Sequence, residues 1–97
     1  MIIHAVDYTV KPGPFCPSGF IPITTPDECI RAGESLGRDS FVPPLPYEEA
    51  RPPGCFTDED LIDIYFNSDI VYPKSPRFDW IPDSRIICKK GKFYSFL

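Results

Sequence analysis

Four cysteines, Cys16, Cys29, Cys55 and Cys88, are spread along the 97 residues, and no two of them form a close pair. An even number at wide spacing in a small, proline-rich chain reads as a disulfide framework. A zinc site would need close pairs such as C-x₂-C, which are absent here, and His4 is the only histidine. A Cys–His nucleophile pair would require His4 to reach one particular cysteine while the others stayed inert. Three disulfide connectivities remain open. The nested one, Cys16–Cys88 with Cys29–Cys55, has a physical appeal: it ties a predicted helix to the first central strand and a pre-helix loop to the last strand. In the chain-entropy model each such link contributes roughly 3–4.5 kcal/mol.

Thirteen prolines impose the second constraint. They are not accommodated inside helices or central strands, so much of the chain must be ordered loop. The length suits one domain, 1–97, because a second hydrophobic core would not fit. Within it we distinguish an N-terminal strand or arm (1–15), a cysteine-framed core (16–88) and an aromatic tail (89–97). Aromatic residues make up 14% of the chain, with eight Phe and five Tyr, so rings should dominate the core.

The net charge of −4 disfavours nucleic acid as a partner, since phosphate binding needs a basic face. Acidic residues concentrate between Glu48 and Asp69, whereas Arg85, Lys89, Lys90 and Lys92 crowd the C-terminal end; solvated faces are the simplest reading of both. No apolar run is long enough for a membrane-spanning helix, so membrane insertion is not expected. The N-terminus also lacks the basic start and long apolar stretch of a signal peptide.

The pattern predicts a strand over 2–10, with Ile2, His4, Val6, Tyr8 and Val10 on one side, followed by a loop over 11–19. The helix is predicted over 26–36. Thr25 and Glu28 form a capping box around Pro26 at the first helical position, and Gly37 is the terminator. Cys29, Ala32 or Gly33, and Leu36 then share the core-facing side. Residues 38–54 read as a proline-rich loop in which Pro43 and Pro46 have polyproline-ligand spacing, although a rigid connection is the simpler reading. Cys55-Phe56 starts a strand, 57–60 turns, and 61–67 returns with Ile62, Ile64 and Phe66 on one face. After an irregular stretch over 68–84, a strand at 85–89 turns at Lys90-Gly91 so that 93–96 pairs with it. The expected class is α+β: one short helix disulfide-linked to a small antiparallel sheet, with long ordered proline-rich loops.

Motifs for catalysis are lacking. There is no Gly-rich phosphate loop and no G-x-S-x-G. Asp58, Glu59, Asp60 and Asp63 match a calcium loop only in carboxylate density. We therefore expect no enzyme, no cofactor and no metal. The candidate ligand or partner contacts are aromatic: Tyr47, Tyr72, Phe78 and Trp80 on proline-rich loops, and Phe93 and Phe96 in the tail.

The order Cys16-x-x-Gly19, Ile23-Thr24-x-x-x-Glu28-Cys29, Ala32, Leu36-Gly37, Pro52-Pro53-Gly54-Cys55-Phe56, Tyr65-Phe66-Asn67-Ser68 and Ile87-Cys88 resembles a cysteine-rich module that recurs in predicted secreted and surface proteins of marine algae and other protists. The likeness covers about residues 16–88. Gly33 stands where that module usually has alanine, a change that weakens the helix and looks harmless to packing. Phe56 stands where it usually has tyrosine. The link from helix to strand is also loosely similar to PAN/apple domains, in architecture only.

These features lead us to expect a structural or interaction module. With no signal peptide, the favoured setting is a large particle with its own thiol oxidation. Such a chain would be an accessory or cement subunit contacting other protein subunits, for example a minor capsid protein in the virion of a large algal virus. The alternatives are an extracellular or cell-surface domain binding glycans or proteins, and an accessory subunit of an organellar membrane complex.

Overall fold

The computed structural model describes residues 7–38, 40–42, 51–58, 63–70, 72 and 84–91. The elements in chain order are β1 (Tyr8–Pro12), β2 (Phe20–Pro22), α1 (Pro26–Ser35), β3 (Ser40–Phe41), β4 (Gly54–Thr57), β5 (Asp63–Asn67) and β6 (Arg85–Lys90). They form one helix packed on a six-stranded sheet of order β1-β6-β4-β5-β3, with β2 also paired to β6.

The helix begins as the sequence predicts. Thr25 is extended (φ −130°, ψ 146°) and its hydroxyl accepts from the Glu28 N–H at 3.3 Å. Pro26 occupies the first turn, where a missing N–H costs nothing. The reciprocal half of the capping box does not form, because the Glu28 carboxylate turns outward to Lys89 and Tyr8. At the other end the Gly37 N–H donates to the Glu34 carbonyl (3.0 Å) and the Arg38 N–H to the Gly33 carbonyl (2.7 Å). That is a Schellman motif, and it requires the left-handed backbone Gly37 adopts at φ 79°.

The sheet is mixed rather than antiparallel throughout, because β3 pairs parallel to β5. β3 falls in the segment expected to be loop; two residues at a sheet edge carry no readable alternation. The first strand also differs. Lys11 and Pro12, expected in a loop, pair with Ile86 and Arg85. Proline is tolerated there because, among the described residues, β1 is the terminal strand of the sheet order, where one side of the backbone needs no ladder partner. Thr57, expected in a turn, pairs with Ile64 and donates its hydroxyl to the Asp63 carbonyl at 2.7 Å. Lys90, likewise expected in a turn, is paired with Phe20. The predicted strand over 2–6, the Pro43/Pro46 spacing, Ile62 and the 93–96 hairpin lie outside the described residues.

β6 is the hub. β1 runs along one side of it, from Tyr8↔Lys89 to Pro12↔Arg85. Along the other side β2 covers Cys88 to Lys90, and β4 covers Arg85 and Ile86. β2 and β4 thus meet end to end. At that seam an added Cβ on Gly54 would lie 2.0 Å from the Ile23 carbonyl oxygen.

The main core lies between helix and sheet. Ile23, Cys29, Ala32, Cys55, Ile64, Phe66 and Ile87 form one buried cluster, with Tyr8, Val10, Leu36 and Phe41 packed at its margin. Alternation along the strands sends Phe56, Ile86 and Cys88 to the opposite face, where they are also buried. One disulfide serves each face: Cys29–Cys55 joins α1 to β4 within the cluster, and Cys16–Cys88 joins the 13–19 loop to β6. Buried Asn67 satisfies the loop before β4. Its amide donates to the Pro52 carbonyl (3.0 Å) and the Arg51 carbonyl (3.4 Å), while its oxygen accepts from the Asp69 N–H (3.0 Å).

Gly33 is tighter than its sequence context suggests. A Cβ there would come within 2.9 Å of Ile64 Cγ1 and 3.2 Å of the Arg38 carbonyl oxygen. Gly33→Ala therefore sets a helix-propensity gain of about 1 kcal/mol against an overpacking cost of roughly 1–3 kcal/mol. Ile64 is fully buried and the second neighbour is backbone, so overpacking should win. We expect a net loss of about 1 kcal/mol, read as a lower urea midpoint at unchanged slope. An increased midpoint would show that β5 yields freely.

Candidate functional site

At one end of the sheet the first turn of α1 stands over β1, β6 and β2. The register aligns Tyr8, Lys89 and Ile21 across those three strands, so their side chains emerge on the helix side. Between them lies a groove of about 740 Å³ lined by Asp7, Ile21, Glu28, Lys89, Lys90 and Gly91. Its apolar wall is Ile21, which is 41% exposed.

Glu28 organises the charge. Lys89 Nζ donates to one carboxylate oxygen at 2.9 Å, and the Tyr8 hydroxyl approaches the other at 3.5 Å. Both ion-pair side chains are partly solvated, so the bridge contributes at most about 1 kcal/mol. Its larger effect is geometric, since it fixes the helix start to a strand 61 positions away in sequence. Burial, and secondarily the Glu28 charge, raise the Tyr8 pKa above its ordinary 10.0. The neutral phenol is thereby favoured in the fold. This contribution to stability is complete below pH 10 and is lost as pH rises through the raised value.

Chemically the groove is zwitterionic with one apolar wall. Lys89 is engaged with Glu28, and Glu28 is approached by two donors. The six lining residues include neither histidine nor thiol. Among the described residues no group of three His, Cys, Asp or Glu side chains is placed to hold a metal ion, and no helix is long and apolar enough to cross a membrane.

Of the aromatic residues singled out in the sequence, Tyr72 is described. Its hydroxyl accepts from the Cys16 N–H at 2.9 Å, and its ring packs edge-on against Phe15 with centroids 6.4 Å apart. It thus braces the 13–19 loop. Tyr47, Phe78, Trp80, Phe93 and Phe96 lie outside the described residues.

Comparison of the chain with family models, curated proteins and solved structures finds no match.

Two arrangements escaped sequence reasoning. The groove is one, because a helix-cap glutamate and a C-terminal lysine give no sign of pairing until the strands are in register. The second is a stack beside β4: the Arg51 guanidinium lies 5.5 Å from the Phe56 ring centroid, and Phe56 stacks on Tyr65 at 5.1 Å. Arg51 also binds Asp58 (2.9 Å) and Ser84 (2.8 Å), which locks the start of β6 to both ends of β4. An arginine followed by Pro-Pro-Gly hints at a turn, but nothing local specifies the ring beneath it.

Proposed function

We propose that this chain is a non-enzymatic interaction module that acts as a small cementing subunit of a larger protein assembly, with a minor capsid protein of a large algal virus as the concrete case. The observation that carries this reading is the stapling of both faces of one sheet by separate disulfides. A domain of this size buries only a modest core, and two crosslinks hold its shape independently of that core's size. A subunit wedged between larger neighbours needs such a frame.

Two surface features agree with it. Ile21, Ile30 and Ile70 are 41%, 36% and 45% exposed, apolar contacts available to a neighbour. The groove beside Ile21 adds paired charges, a lining typical of the polar rim of a protein interface.

The test is fractionation of the native source into intact particles, membranes and soluble protein, with the chain quantified by mass spectrometry. The expected result is recovery with particles at fixed stoichiometry, released only when the particles are dissociated. Recovery as a free soluble monomer, with the oxidised protein binding a glycan array, would overturn the assembly reading.

A further inference from the structure

The two disulfides occupy unlike surroundings. Cys29 and Cys55 are both fully buried and belong to the main hydrophobic cluster. Cys88 is also fully buried, on the other face of the sheet, but its partner Cys16 is only half-buried and lies in the strap over 13–19 that connects β1 to β2.

That strap is separable from the sheet it crosses. β1 and β2 are each held to β6 by their own antiparallel ladders, on opposite sides of it. The ends of the strap are fixed by backbone hydrogen bonds from Gly13 to Ser84 (3.1 Å), from Ile86 to Gly13 (3.2 Å) and from Gly91 to Gly19 (2.9 Å). Its middle is held by the disulfide, by the Cys16 N–H to the Tyr72 hydroxyl and by the Phe15–Tyr72 ring contact. The crosslink is the covalent hold on the middle of the strap, whereas the ladders of β1 and β2 on β6 rest on their own backbone hydrogen bonds.

We propose that Cys16–Cys88 is a redox-operated latch, opened by a dithiol in the folded protein, whereas Cys29–Cys55 is a permanent staple. This goes beyond the assembly role and does not depend on it. The reagent's thiolate attacks the sulfur of half-buried Cys16, and the sulfur–sulfur bond breaks. Cys88 leaves as a thiolate and takes up a proton. The reagent's second thiol then attacks its own bound sulfur, closes the reagent's disulfide and releases Cys16, which is protonated in turn. The protein gains two electrons and two protons, and the dithiol loses the same. Lifting the strap uncovers Cys88 and the place of buried Pro14 on the second face, so one domain presents a closed or an open surface according to the thiol level around it.

The experiment treats the native protein with graded dithiothreitol, quenches with iodoacetamide and maps alkylated cysteines by mass spectrometry. Cys16 and Cys88 are expected to be modified about tenfold or more faster than Cys29 and Cys55. Equal rates, or earlier modification of Cys29 and Cys55, would overturn the proposal. A Cys16→Ser/Cys88→Ser variant supplies a second readout that is free of adducts. Hydrogen exchange in that variant should accelerate over 14–19 while β4 and β5 remain protected. Loss of protection in β4 and β5 as well would show a global staple instead of a latch.

Discussion

Gly54→Ala is expected to destabilise the protein by about 3–4 kcal/mol. Two costs add at this position. Its backbone lies at φ 72°, where an L side chain costs about 1–2 kcal/mol. The new methyl would also stand 2.0 Å from the Ile23 carbonyl oxygen, a backbone atom that no rotamer change can move aside. Relief requires parting the seam between β2 and β4 or shifting β4, whose four residues are all buried. Gly37 offers the control, because its φ is 79° and a Cβ there meets nothing within 4 Å. Gly37→Ala should therefore show the backbone cost alone, about 1–2 kcal/mol. Urea denaturation of both variants, with intact disulfides verified by mass, makes the comparison. If Gly54→Ala costs no more than Gly37→Ala, the seam is not tight.

Removing the internal crosslink with Cys29→Ala/Cys55→Ala is expected to cost about 4–5 kcal/mol. The closed loop, with a sequence separation of 26, accounts for about 3.5 kcal/mol in the chain-entropy model. The remainder comes from the cavity left where two fully buried sulfurs packed against Ile23, Ile64 and Phe66. The larger loop of Cys16–Cys88 gives a similar figure, about 4.4 kcal/mol, from entropy alone. The two losses therefore differ less in global stability than in what they disturb: the core variant should loosen α1 against β4, and its hydrogen exchange should rise in the helix. Unchanged helix protection together with a loss below about 2 kcal/mol would show that packing, not the crosslink, fixes α1.

The parts of this fold that were legible in the sequence are those specified by neighbours in the chain. Thr25, Pro26 and Gly37 set the ends of α1 through local hydrogen bonds, and the structure shows the cap and the terminator in place. Alternation placed Ile64 and Phe66 on the buried side of β5, and the strand expected over 85–89 is β6, one residue longer. What was not legible depends on distant partners. β2 and β3 are too short for a period, and they exist because β6 and β5 offer them an edge. Glu28 satisfied a local motif on paper but pairs instead with Lys89, a partner of full opposite charge brought to it by the sheet. Gly33 looked like a weakened helix position until Ile64 was seen against it. The groove was illegible for the same reason: its charged residues converge only when three strands and a helix turn are already in register.

The position of β6 in the chain has a consequence for biogenesis. A ribosome delivers residues in order, and the strand on which β1, β2 and β4 all converge begins at Arg85. Until it emerges, β1 and β2 have no ladder, and Cys16 has no Cys88 to meet. The helix, β4 and β5 are complete earlier, together with both sulfurs of their own crosslink. Vectorial synthesis thus makes both partners of the inner bond available before Cys88, the second partner of the outer one, has been made.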